Sequence, residues 1–346
     1  MTIEAQSYIP PEEPEPETTT TENPDGSVTE TVVAPDGSRT ETTTTADGST
    51  GTVKTDAEGG AVSAEAAPSQ AAVDEAAVSG EPVTLPVEVA AADRSEDAVP
   101  IAITLPETAQ RVTVEIPVEN LTPGTVAVLV HADGTEEIIK TSVTSENGVV
   151  LTLDGSATVK IVDNTKVLAD VDEDAWYADA AAWAASREIM VGTGAGFAPE
   201  TDTSRGMFAQ LLFNLDGAQP SGEIAPFDDV AAGDWYADSV TWLVENGIAQ
   251  GKGDTFDPNG PVTREQVAVM LYNYAKYKGY DVDAVGDMSA FTDADSVSDW
   301  ADAAMRWAVG AGLINGMGDG TVDPQGLATR AQVAALMQRF CALVAQ

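Results

Sequence analysis

The sequence predicts a multidomain chain with a low-complexity acidic N-terminal arm, a small all-β, sandwich-like middle domain and an all-α C-terminal region built from three repeats. Three observations carry that prediction. A period of roughly 60 residues fills the second half of the chain and reads as an array of one supersecondary unit. Between about Glu81 and Asn164, short runs of β-branched residues alternate with turn residues. Nearer the N-terminus, Asp25-Gly26, Asp36-Gly37, Asp47-Gly48 and Glu58-Gly59 recur every 11 residues. The expected boundaries are 1–78 for the arm, 79–166 for the β domain, and 167–222, 223–284 and 285–346 for the three repeats.

In the arm, Asp-Gly flanked by β-branched residues is a hairpin signal. Runs such as Thr40-Glu41-Thr42-Thr43-Thr44-Thr45 hold almost nothing to bury. Two forms follow from this, a thin β-meander or a disordered, solvated spacer, and the lack of buriable side chains favours the spacer. The Pro/Glu stretch 10–18 is expected to be extended and mobile.

The middle domain offers seven strands: Val83 to Val89, Ile101 to Leu105, Arg111 to Ile116, Val126 to His131, Glu136 to Thr141, Val149 to Leu153 and Ala157 to Val162. Strands of this length and spacing predict a β-sandwich. His131 is the single histidine and stands without a second histidine or a cysteine cluster, which gives it a structural or solvated role.

Each C-terminal copy opens on an acidic turn and a tryptophan: Asp170-Val171 with Trp176, Asp229-Val230 with Trp235, Asp293-Ala294 with Trp300. A second tryptophan stands seven residues on, at Trp183, Trp242 and Trp307, expected in the core. A Gly-rich turn follows, with Gly194, Gly253 or Gly318, and each copy closes on Ser204-Arg205, Thr263-Arg264 or Thr329-Arg330. From the first tryptophan to the arginine is 29, 29 and 30 residues. In copy two, Asp234 is expected to cap a first helix that ends at Gly247 and carries Trp235 and Trp242 on one face. Thr263 with Gln266, and Thr329 with Gln332, fit a capping box that opens the second helix. One unit has too little core to stand alone, and three can bury a shared one.

These residues resemble the S-layer homology (SLH) family over roughly the last 175 residues, most clearly in the loop from Gly251 to Pro258. The resemblance implies three repeats packed as a pseudo-trimer of short helices. It also implies an extracellular surface protein, attached to the bacterial wall through a secondary cell-wall polysaccharide or peptidoglycan. The groove residues it implies are Arg205, Arg264 and Arg330; Ser204, Thr263 and Thr329; Gly194, Gly253 and Gly318; and Trp176, Trp235 and Trp300. Departures from the family pattern, Met207, Gly206 and Arg187-Glu188 in copy one, rank copies two and three ahead of it as binding units.

An arginine at the first position of a helix opposes the macrodipole, so something else must select it. Two readings fit. With unpaired N–H groups at the helix start, the guanidinium makes an anion site beside a tryptophan wall, suited to an acidic saccharide. Alternatively each arginine pairs with a carboxylate of a neighbouring repeat, or of another copy in a homo-oligomeric surface lattice. The family resemblance favours the first.

Composition sets limits on the rest. With 57 acidic against 16 basic residues the net charge is −41, which argues against nucleic-acid partners. Cys341 is the single cysteine and is expected to be a small buried residue. No apolar run approaches the length of a membrane span. The start Met1-Thr2-Ile3-Glu4 lacks the basic and apolar parts of a secretory leader, so a surface location implies a leader absent from this sequence. No cofactor is expected; Gly253-Asp254 and Gly318-Asp319-Gly320 read as turns, with opportunistic Ca²⁺ as the other reading. The expectation is a non-enzymatic anchor, and a fragment of a wall-bound glycoside-acting enzyme is the weaker alternative.

Overall fold

A computed structural model describes residues 15–109, 111–192 and 196–345. The 11-residue repeats form an antiparallel meander of strands β1 (Glu17–Glu22), β2 (Val28–Val33), β3 (Arg39–Thr44), β4 (Thr50–Thr55) and β5 (Ala61–Ala67). The favoured spacer is therefore corrected over 17–67, while residues 10–14 of the Pro/Glu stretch lie outside the described residues. Two physical features hold strands with so little to bury. Threonine hydroxyls pair across the ladder, Thr29 with Thr43 at 2.9 Å and Thr42 with Thr52 at 3.1 Å. The meander also does not stand alone, because β5 pairs in parallel with a strand of the middle domain. Each turn is closed by its aspartate, as where Asp36 accepts from the Ser38 N–H at 2.9 Å. Helix α1 (Gln70–Ser79), capped by Ser69, is an element that the sequence reading does not contain.

The middle domain adds β6 (Val83–Thr84), β7 (Val89–Ala90), β8 (Ile101–Ile103), β9 (Val112–Glu119), β10 (Thr125–Val130), β11 (Glu136–Ile138), β12 (Val143–Thr144), β13 (Gly148–Leu153) and β14 (Ala157–Asp163). One sheet runs β1-β2-β3-β4-β5-β8-β14-β10-β11; the other runs β12-β13-β9-β6, with β7 also on β9. Alternate residues of β9, Val112, Val114, Ile116 and Val118, point into a core shared with Ile101, Ile103, Leu151 and Ile161. The expected strand from Val83 to Val89 breaks in two at Pro86, which has no N–H to give to a ladder.

The repeats supply helices in pairs: α2 (Ala178–Ser186) and α3 (Arg205–Asp216), α4 (Ala237–Glu245) and α5 (Arg264–Lys278), α6 (Asp302–Gly310) and α7 (Arg330–Val344). They close into a ring, since α3 packs on α4, α5 on α6, and α7 returns to α2. At its centre three backbone hydrogen bonds form a cycle. The Val262 N–H donates to the Thr203 carbonyl at 2.8 Å, Ala328 to Val262 at 3.0 Å, and Thr203 to Ala328 at 2.8 Å. One core runs through all three copies and includes Trp183, Trp242 and Trp307.

The capping boxes at Thr263/Gln266 and Thr329/Gln332 are both present. The first helix of copy two starts later than expected, at Ala237. The Asp234 carboxylate instead accepts from the Ala231 N–H at 2.8 Å, closing the preceding turn. Trp235 is thereby left outside the helix and shares no face with Trp242.

The middle domain is joined to repeat one by a buried arginine. Arg187 donates from Nε to the Ser142 carbonyl at 2.6 Å and from its terminal nitrogen to the Thr125 carbonyl at 2.9 Å, with no exposed surface. Burial pushes its pKa down to about 9. Val143 and Val150 of the β domain belong to the helical core.

Candidate functional site

Each repeat arginine reaches into the loop of the next copy. Arg205 Nε donates to the Phe256 carbonyl at 2.9 Å, Arg264 Nε to Val322 at 2.9 Å, and Arg330 Nε to Phe197 at 2.7 Å, which closes the cycle. Arg205 and Arg330 also donate to Gln250 and Val191, and their guanidinium groups lie over the rings of Phe256 and Phe197. Arg205 is 5% exposed and Arg330 4%, and burial lowers the pKa of all three arginines.

Two expectations are corrected here. The helix-start N–H groups are not unpaired: Arg205 and Gly206 donate to Gly260 and Pro258, Arg264 and Glu265 to Gly326 and Pro324, and Arg330 and Ala331 to Thr201 and Pro199. The next repeat's loop supplies the carbonyls that a free helix end would seek in a ligand. Nor do these arginines form carboxylate ion pairs among the described residues; their partners are carbonyls within one chain.

The same loops are held from the opposite side by the opening aspartates. Asp170 accepts from the N–H groups of Phe197 and Ala198 at 2.6 and 2.7 Å, and Asp229 from Phe256 and Asp257 at 2.8 and 2.7 Å. Asp293 accepts from Val322 and Asp323, both at 2.8 Å. Each clamp spans a left-handed residue, Ala198, Asp257 or Asp323, at φ 55, 60 and 47°. The backbone hydrogen bonds from Ala198 and then Phe197 hold the Asp170 carboxyl below its ordinary pKa. Sequence reasoning missed this role, although the signal was there in an aspartate repeated at one place in every copy.

The remaining candidates divide by exposure. Ser204, Thr263 and Thr329 are N-caps, accepting from the N–H groups of Met207, Gln266 and Gln332. Gly253 and Gly318 sit at exposed left-handed turns, and Gly194 lies outside the described residues. Trp176, Trp235 and Trp300 are 66%, 58% and 58% exposed, unusual for the largest apolar side chain.

Arg205, Trp300 and the loop of copy two come together around a cleft of about 450 Å³. Its lining adds Lys252, Gln266 and Asn273, none of which the sequence singled out as ligand groups. Arg264 lines a recess of only about 20 Å³. Copies one, two and three all contribute to the larger cleft, through Arg205, the segment 248–273 and Trp300. Chemically the cleft offers an ammonium group, three amide side chains (Gln250, Gln266 and Asn273) and an indole face beside a buried guanidinium. Among the described residues no group of three or more His, Cys, Asp or Glu is placed to hold a metal ion. No helix there is long and apolar enough to cross a membrane.

The sequence profile of the S-layer homology domain matches residues 168–209, 226–268 and 290–334. The chain is 32% identical over 167 residues to an exoglucanase, XynX, of Acetivibrio thermocellus, a match covering 48% of this chain and 15% of that protein. It is 32% identical over 167 residues to an amylopullulanase of Thermoanaerobacterium thermosulfurigenes, covering 48% and 9%. To a surface-layer 125 kDa protein of Lysinibacillus sphaericus it is 33% identical over 147 residues, covering 41% and 12%. The chain thus spans well under a fifth of each relative's length, and what it shares with the two enzymes is the repeat region alone. Residues 168–334 are three consecutive S-layer homology domains, folded as one closed helical module.

Proposed function

We propose that the helical module holds this protein non-covalently at the bacterial cell surface by binding an anionic secondary cell-wall polysaccharide. The observation that carries the reading is the inter-repeat cleft of about 450 Å³ with Lys252, Gln266, Asn273 and exposed Trp300. An indole face stacks on a sugar ring and amides bond its hydroxyls, while the exposed Lys252 ammonium, which spends one donor on Asp257 at 2.9 Å, keeps two for an acidic substituent. The chain carries a net charge of −41 and repels polyanions at long range, so binding rests on short-range contacts inside the cleft. Arg205 and its counterparts act here as positioning residues that fix the loop on which the ligand rests. The meander and sandwich are then what the module displays.

Co-sedimentation of the full chain with bacterial walls, before and after removal of the secondary polysaccharide, tests the proposal. Binding lost on stripping supports it. Binding that survives redirects the module to peptidoglycan, and binding to neither sinks the anchoring reading.

A further inference from the structure

The cleft beside repeat one is built differently from its counterpart beside repeat two. Met190, Val191, Gly192 and Asn214 correspond to Ala249, Gln250, Gly251 and Asn273, and they line a cleft of about 460 Å³. Its other wall comes from outside the repeats: Lys140, just after β11, and Lys166, in the connector from the β domain. Lys140 donates to the Asn214 carbonyl at 2.7 Å, and Lys166 to Asn164 Oδ1 at 2.7 Å. Asn164 is itself tied to the Ser186 carbonyl at 2.5 Å, so both lysines are mounted on segments bonded to repeat one.

Charge makes this arrangement unusual. Of the seven lysines, Lys54, Lys160, Lys252 and Lys278 pair with carboxylates, as excess acid predicts. Lys276 lies over the Tyr272 ring. Lys140 and Lys166 have no carboxylate partner among the described residues, yet they face one cleft. Glu188 is the one carboxylate in the lining and pairs with neither. Each ammonium has three donors and uses one in the contacts above, which leaves two to converge on a multi-oxygen anion.

We infer that Lys140 and Lys166 complete an anion subsite, shared between the middle domain and repeat one, for an acidic substituent of the wall glycan. The inference rests on the anchoring reading and deepens it: the β domain takes part in binding as well as being displayed. It also assigns repeat one, which lacks a counterpart of Lys252, a cationic wall from another domain.

The test uses the full chain and purified wall polysaccharide, with peptidoglycan as a second ligand. Lys166→Gln is expected to weaken binding about threefold and the Lys140→Gln/Lys166→Gln double variant about tenfold, with a shallower salt dependence. Bound glycan should also protect both amines from acylation while leaving Lys54 and Lys276 reactive. Lys140 bridges to Asn214, so if the double variant unfolds, the exposed Lys166 variant and the protection pattern decide the outcome. Protection by peptidoglycan alone upholds the subsite and reassigns its ligand. Wild-type binding with unchanged affinity in Lys166→Gln and no amine protection overturns the subsite and leaves anchoring intact. A wild-type chain that binds neither polymer overturns both.

Discussion

At the scale of single residues, the repeat arginines show how a locally unfavourable charge is used. A cation at the first position of a helix opposes the dipole. Here each guanidinium is aimed past its own helix into carbonyls of the next repeat, where it closes a ring contact. Arg330→Ala should therefore lower stability by about 2–3 kcal/mol, the worth of buried hydrogen bonds to a charged donor, as read from urea unfolding. An unchanged midpoint would return the arginine to a role in ligand contact alone. The aspartate clamp on the same loop predicts a pH dependence. Because the Asp170 pKa is lowered in the folded state, its contribution is present above the ordinary value of 3.8 and lost as pH falls through the folded value. The melting-temperature gap between wild type and Asp170→Asn should accordingly stay level from about pH 7 to 5 and close below about pH 4.

Among the elements, the two tryptophans of each copy have opposite duties. Trp242 is 8% exposed within α4, whereas Trp235 is 58% exposed in the turn before it. Trp242→Ala should cost about 3–5 kcal/mol, while Trp235→Ala should stay within about 0.5 kcal/mol in the same denaturation assay. Equal effects would mean that the turn tryptophan is also structural. The caps behave in the same graded way. Thr329 satisfies one helix-start donor, and Thr329→Ala should cost about 1 kcal/mol, a loss that Thr329→Ser should largely restore.

For the whole molecule, the three repeats pack around one core, and every copy lends its arginine to the next and takes a loop from it. The β domain contributes to that core as well. Arg187 finds its acceptors in Ser142 and Thr125, and Val143 and Val150 enter the helical core. Removing residues 1–166 should lower the melting temperature of the module, and calorimetry of the intact chain should show middle and helical regions unfolding together. Independent transitions would mean that the interface adds little.

The division into a β-rich first part and a helical repeat region, the period of the repeats, the capping boxes and the core tryptophans were all readable in the residues, because spacing and capping are local and each copy repeats them. The meander was only half readable: its turns were plain at every Asp-Gly, but its survival depends on β8 and on cross-strand threonine pairs that no single stretch reveals. The site was least readable. Twelve positions could be named from the resemblance, yet whether an arginine faces a ligand or a carbonyl is decided by the loop that the next repeat brings to it. The sequence by itself determined which units form. Only the closed ring decided which side chains face inward, because the groups that satisfy each helix start, bury each arginine and leave Trp300 beside Arg205 come from other copies.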